Sequence, residues 1–274
     1  MAFLKFFKKK PKKPLKKKPF KPKVIKKRIY KVKPKIRVKK VKKIVKPIIK
    51  KIEAKPRMIE VKPKILEKMN DEKAYKILKK YRIPLPEYAF CKNEKELLLS
   101  LKRVGFPCVM KVSGNIIHKT EVNGVRLNIN SSEEALKTFK ELIKIKGCKK
   151  VLAQKMITEG YEIIVGGKQD PQFNRIVALG AGGIFTELLK DVSFRVCPLT
   201  RSDAEEMLKE VKFSDLILKG FRGQKPADVN SIIEVILAVS RIMENVSDIK
   251  ELDINPLFAT PTKAIATDVR IILE

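Results

Sequence analysis

Phe106-Pro107-Cys108-Val109-Met110-Lys111-Val112-Ser113-Gly114 leads through Asn115-Ile116-Ile117-His118-Lys119-Thr120-Glu121-Val122-Asn123 into Gly124-Val125-Arg126-Leu127-Asn128-Ile129. The outer parts read as strands, because short apolar, β-branched runs end in glycine and serine. The middle reads as a small, polar loop. Lys111 interrupts the first strand with a charge, and a buried ammonium group is costly unless an anion meets it. A phosphate would satisfy it, and so would the end of the strand if the side chain reached water. The loop holds the chain's single histidine, His118. Imidazole accepts and releases a phosphoryl group or a proton near neutral pH. A lone histidine is more often structural, but this one lies beside Lys119 and seven residues after Lys111.

Outward from this stretch the pattern is α/β. Asn70 caps a predicted helix through about Tyr81, Asn93 caps one through Arg103, and Ser131 or Ser132 opens a third that Gly147 closes. Strands are expected at Lys150 to Ile157, Tyr161 to Gly166 and Arg175 to Leu179. Helices should begin near Thr200 and Asp228, with two short strands, Glu251 to Ile254 and Ala264 to Val269, at the end. The turn Gly180-Ala181-Gly182-Gly183 follows a strand and precedes an expected helix, so its backbone N–H groups would approach an anion closely. It fits neither the dinucleotide fingerprint nor the P-loop. In Glu251-Leu252-Asp253-Ile254-Asn255-Pro256-Leu257, alternation puts Glu251, Asp253 and Asn255 on one strand face. A turn at Thr260 to Lys263 would fold back a neighbouring strand carrying Asp268. A few hard oxygens of this kind, completed by water and phosphate, suit Mg²⁺, although a solvated strand face would be equally acidic.

Charge separates this body from what precedes it. The 274 residues carry a formal charge of +33, but residues 1–70 hold 30 Lys and Arg against 3 acidic residues. The first 64 residues contain no glycine and many prolines, and are expected to be a mostly disordered basic arm. Such an arm suits a non-specific anionic partner, nucleic acid or a membrane surface, as well as a solubilising or docking role. Its few aromatic residues offer no sequence-specific reader. Four scattered cysteines without a C-x-x-C pair read as reduced thiols. There is no transmembrane segment, so the expected location is the cytoplasm.

Several stretches together resemble ATP-grasp proteins, and more narrowly the β subunits of ADP-forming acetyl-CoA and other acyl-CoA synthetases, in the succinyl-CoA synthetase superfamily. They are Ile117-His118-Lys119-Thr120 with Gly124-Val125, Asp170 to Phe173, Gly182 to Phe185, Leu189 to Arg195, Gly223 to Asp228 and Glu251 to Leu257. The resemblance implies an α+β, ATP-grasp fold of two subdomains gripping a nucleotide, with residues 65–155 and 156–274 as the two halves. It implies ATP/ADP and Mg²⁺ as ligands, with Lys111 on the phosphates, the hinge Gln154, Lys155, Met156 and Ile157 at the adenine and Glu162 near the ribose. Gly182 and Gly183 would lie at the nucleotide, and Asp253, Asn255 and Asp268 at the metal, unless Asp253 instead orients a phosphohistidine. His118 would relay a phosphoryl group, with Arg195 and Glu187 as helpers. Glu121, Asn123, Lys155 and Ala181 depart from the family's usual residues, and Lys155 puts the adenine pocket's geometry in question. With no second histidine and no CoA-binding region, the chain is expected to need an α subunit that carries CoA and the first phosphohistidine. A carboxylate–amine ligase, which uses the same nucleotide grip without a carrier histidine, is the alternative within the enzymes. Non-specific nucleic-acid binding through the arm is the alternative outside them.

Overall fold

Asn70 opens the first helix of the described residues as its cap. Its side chain accepts from Glu72 N (2.9 Å) and Lys73 N (3.4 Å), opening helix α1, Asp71–Lys80. The computed structural model describes residues 66–116, 119–182, 191–221 and 223–274, all within one unit, Lys62–Glu274. The basic arm, Ile117, His118, Gly183 and Glu187 lie outside the described residues.

Two antiparallel sheets follow from the strand patterning. Strands β2 (Tyr88–Cys91), β3 (Cys108–Gly114), β4 (Val125–Ile129) and β5 (Cys148–Lys155) form one, in the order β2-β5-β3-β4. Helices α2 (Glu94–Val104) and α3 (Ser132–Leu142), capped by Asn93 and Ser131, pack Leu97, Leu101, Phe139 and Leu142 against its Met110, Val112 and Val151. The larger sheet joins β1 (Glu67–Lys68), β6 (Tyr161–Asp170), β7 (Asn174–Ala181), β8 (Val192–Val196), β9 (Ile249–Ala259) and β11 (Val269–Leu273) in the order β1-β11-β9-β6-β7-β8. Strand β10 (Ala264–Ala266) pairs with β9.

One face of the larger sheet is covered by helices. Thr200 caps α4 (Arg201–Glu210) with a reciprocal capping box, a short α5 follows (Ser214–Lys219), and Asp228 caps α6 (Val229–Asn245). Ile232, Ile236, Val239 and Met243 of α6 meet Ile163, Val165, Val177 and Leu179 in one apolar cluster. Each fully buried side chain of this size is worth about 1.5–3 kcal/mol. The fit is close enough that Gly167 has no room for a side chain, since a Cβ there would stand 2.5 Å from Met243 Cγ.

The C-terminal pair differs from its expected form. Strand β9 runs to Ala259, and the returning segment is broken at Thr267-Asp268 into β10 and β11 instead of continuing through Val269. Asp268 therefore stands in the break, not in a strand. Opposite it, the β6–β9 ladder shifts register between Ile163 and Val165, leaving Asn255-Pro256 outside regular pairing. Proline has no N–H for a ladder, so an irregularity is expected where it sits.

All four cysteines are free. Burial pushes Cys108 up to about 11, with Glu134 adding to the shift and Lys155 opposing it. Iodoacetamide at pH 8 is expected to leave Cys108 unlabelled in the native protein and to alkylate it in urea, read by peptide mass spectrometry. Rapid native labelling would show that this strand opens. The raised thiol supports stability below its unfolded value of about 8.5, and that support is lost as pH rises through about 11.

Candidate nucleotide and metal site

The matched irregularities of β9 and of the β10–β11 break build the site. Asn255 N donates to Asp268 O (3.3 Å) and Thr267 N to Pro256 O (3.2 Å), which locks the two segments together. The Thr267 carbonyl then turns toward the smaller sheet. It accepts from Lys111 Nζ at 2.8 Å and Gln154 Nε2 at 3.1 Å, and the Tyr75 hydroxyl lies 3.2 Å away. Tyr75 also lies 3.1 Å from Gln154 Oε1, and its ring meets Tyr88 and Phe90 edge-on. Lys111 does not reach water. Burial lowers its pKa, while Asp268 opposes that shift.

In front of this layer, a cleft of about 340 Å³ is lined by Lys119, Asp253, Asn255, Asp268, Arg270 and Lys68, among others. Lys119 Nζ lies 2.6 Å from Asp268 Oδ1 and 3.5 Å from Asp71 Oδ1. Burial alone would lower the pKa of Lys119, but Asp268 and Asp71 outweigh it and the net shift is upward. For Asp268, burial opposes ionisation, whereas Lys119 and Lys111 prevail and hold its carboxyl below the ordinary range. Asp71 is tied by four contacts: Lys68 Nζ (2.8 Å) and Lys119 on one oxygen, Ser113 Oγ (2.8 Å) and Gly114 N (3.2 Å) on the other. Asp253 is pushed upward by burial, against the pull of Arg270, whose Nη2 lies 3.8 Å away.

The expected site residues thus separate into groups. Asp253, Asn255 and Asp268 share the cleft. Lys111 and Gln154 sit just behind it on the Thr267 carbonyl. Lys155 closes β5 with its Nζ bonded to Phe106 O, and Met156 and Ile157 follow at half-exposed positions. Glu162 is exposed on β6, beside Gly182, whose N–H donates to Glu162 O at 2.9 Å. A Cβ on Gly182 would come within 2.6 Å of Glu162 C, so only glycine permits this approach. Arg195 is not gathered in. It lies on β8 opposite Val177, on the helix-covered face, three strands from β9 and so about 14 Å away. There it pairs with Glu210 at 2.5 Å and Glu206 at 3.4 Å, and with Ser193 it pulls Glu210 down to about 2.

Asp71, Lys68 and Tyr75 escaped the sequence reading. Asp71 looks like any acid in a first helical turn, and Lys68 closes a lysine-rich stretch.

The donors fit Mg²⁺, since two carboxylates and one amide face a single cleft and this ion keeps its other positions for water and phosphate. Among the described residues no group of three or more His, Cys, Asp or Glu is gathered as for a metal ion.

A family model described as an ATP-grasp domain matches residues 61–273. The chain is 43% identical over 211 residues to the β subunit of ADP-forming acetate–CoA ligase I of Pyrococcus furiosus, covering 74% of this chain and 90% of that one. It is 41% identical over 198 residues to ADP-forming acetate–CoA ligase II of Archaeoglobus fulgidus, covering 72% of this chain but only 29% of that longer relative. Among solved structures, an acetyl-coenzyme A synthetase 1 of Ca. Korarchaeum cryptofilum superposes with a TM-score of 0.67 at 36% identity, over 76% of this chain and 93% of that one. That structure is in complex with coenzyme A and Mg-AMPPCP, with its phosphohistidine segment pointing towards the nucleotide-binding site.

Proposed function

Because the chain belongs to the ATP-grasp family, and within it to the β subunits and β-type segments of ADP-forming acyl-CoA ligases, we propose that its cleft binds Mg·ADP and Mg·ATP and exchanges a phosphoryl group between ADP and a histidine. The overall reaction is acyl-CoA + ADP + phosphate ⇌ carboxylate + CoA + ATP, with acetate as the first candidate acid, in the cytoplasm. The observation that carries this reading is that Asp253, Asn255 and Asp268 line the same cleft as Lys119, the sequence neighbour of His118. The two sheets are the two jaws, divided near residue 155 except that β1 (Glu67–Lys68) joins the larger sheet.

Asn255 and Asp268 hold the metal, and Asp253 either joins them or orients the incoming phosphohistidine. A bound Mg²⁺ supplies charge neutralisation at the phosphates. Lys119 and Lys111 add positive charge on the side of the smaller sheet. Gln154 to Ile157 and Glu162 hold the adenosine. The partner's phosphohistidine gives its phosphoryl group to His118, and His118 passes it to the terminal phosphate oxygen of ADP, each transfer breaking a P–N bond as the next bond to phosphorus forms. Arg195 and Glu187 are the helpers in this assignment; Arg195 is paired with Glu210 and Glu206 on the other face of the sheet, and Glu187 lies outside the described residues. Such chemistry consists mainly of positioning and charge stabilisation, so a cleft of fixed charges is suited to it.

The phosphohistidine comes from an α-type partner that also carries CoA. The open face of the larger sheet gives that partner a landing surface. Phe194, Ala178, Gly166, Asp253 and Arg270 stand in one cross-strand row, so the cleft and the edge strand share a face. On that face Val192, Phe194 and Val196 are 42, 55 and 50% exposed. Phe194→Asp is expected to weaken binding of the α-type chain about 30-fold, as for loss of a central aromatic anchor, with nucleotide affinity unchanged. Equal sedimentation of wild-type and variant complexes would remove the stripe from the interface. The reaction is tested by ATP formation from acetyl-CoA, ADP and phosphate with the α-type chain added. If a stable complex forms ATP from no acyl-CoA offered, the assignment is wrong.

A further inference from the structure

The carboxylate proposed to hold the metal already has a cation of the chain's own. Lys119 Nζ sits 2.6 Å from Asp268 Oδ1, with its side chain 7% exposed. Three ammonium groups (Lys68, Lys111, Lys119) and two carboxylates (Asp71, Asp268) form one connected cluster, leaving one positive charge in excess. Asp253 and Arg270 form a further pair side by side on adjacent strands of the cleft wall, and Glu121 also lines the cleft.

A bare divalent ion at Asp268 would meet the Lys119 ammonium group at close range and would have to displace it. A metal–nucleotide complex is different, because its phosphates carry more negative charge than the metal neutralises and offer Lys119 a new anion. Lys119 also has a second carboxylate within reach, since Asp71 Oδ1 is 3.5 Å away.

We propose that Lys119 is a surrogate cation for Asp268, which holds the carboxylate until metal and nucleotide arrive together and so makes the cleft refuse divalent ions alone. On this basis Lys119 is a positioning residue: it moves from Asp268 onto the phosphates or Asp71 as the nucleotide complex enters. The inference rests on reading Asp268 as a metal ligand.

The test is Mn²⁺ binding to the full chain, read from the electron paramagnetic resonance signal of free Mn²⁺, with and without ADP. Wild type should bind bare Mn²⁺ weakly and Mn²⁺·ADP well. Lys119→Met should bind bare Mn²⁺ at least about tenfold tighter, a change of about 1.4 kcal/mol, and Mn²⁺·ADP several-fold more weakly. Lys119→Arg keeps a cation at the site and should keep the exclusion, which separates loss of charge from a general loosening of the loop. If folded Lys119→Met holds bare Mn²⁺ no better than wild type, or if Lys119→Arg gains affinity equally, the surrogate role is overturned. Asp268→Asn distinguishes the premise: Mn²⁺·ADP affinity unchanged in that variant would refute the metal-ligand assignment itself.

Discussion

Asp71→Ala is expected to lower the stability of the fold by about 3–5 kcal/mol, the usual cost of removing one partner from a buried ion pair, read as a fall in the urea unfolding midpoint. The carboxylate is 1% exposed and satisfies four groups at once. Without it, among the described residues, Lys68, whose side chain is 2% exposed, keeps the Gly114 carbonyl at 3.1 Å, and Lys119 keeps Asp268. The effect is not local, because these groups belong to α1, β1, β3 and the loop after β3, so one oxygen pair joins the larger sheet's first strand to the smaller sheet. Lys68→Met combined with Asp71→Leu should recover part of the loss, since burying two apolar groups leaves no stranded charge. A single variant within 1 kcal/mol of wild type would show that the charges are hydrated and that the junction is held by packing alone.

Much of the frame was readable because its signals are local. Asn70, Asn93, Ser131, Thr200 and Asp228 each cap the helix expected of them, and the hairpin from Ala259 to Ala264 turns where Pro261 and its neighbours predicted. The elements that were missed lack such punctuation. Tyr88–Cys91 is four residues of aromatic and small side chains, readable as a strand only once Gln154 and its neighbours lie opposite. Val192–Val196 does alternate, but its outward residues are the apolar ones, the reverse of an ordinary edge strand. The break at Thr267 could not be read at all. It exists because Pro256 disrupts the opposing ladder and because Lys111, Gln154 and Tyr75 converge on one carbonyl from far along the chain. The site followed the same division. Motif spacing found Asp253, Asn255 and Asp268, while Lys68 and Asp71, which support Lys119 beside Asp268, carried no signal of their own.

His118→Ala is expected to reduce ATP formation about 10³-fold or more, equivalent to about 4 kcal/mol of transition-state stabilisation, with little change in the affinity for Mg·ADP. The imidazole lies outside the described residues; its nearest described neighbours in sequence are Ile116, buried in the smaller sheet's core, and Lys119, in the cleft against Asp268. In the proposed reaction His118 takes the phosphoryl group as covalent cargo, and among the described residues no side chain that lines the cleft is a nucleophile comparable to imidazole. The variant should still allow the partner's histidine to be phosphorylated from acetyl-CoA and phosphate, so acid-labile phosphate should accumulate on the α-type chain while ADP goes unconverted. Loss confined to kcat would locate the defect in transfer, not in nucleotide binding. Near-normal ATP formation would mean that the partner's histidine reaches ADP directly. Activity that persists with an amine acceptor and without any partner would instead favour a carboxylate–amine ligase, for which a histidine in this loop is merely structural.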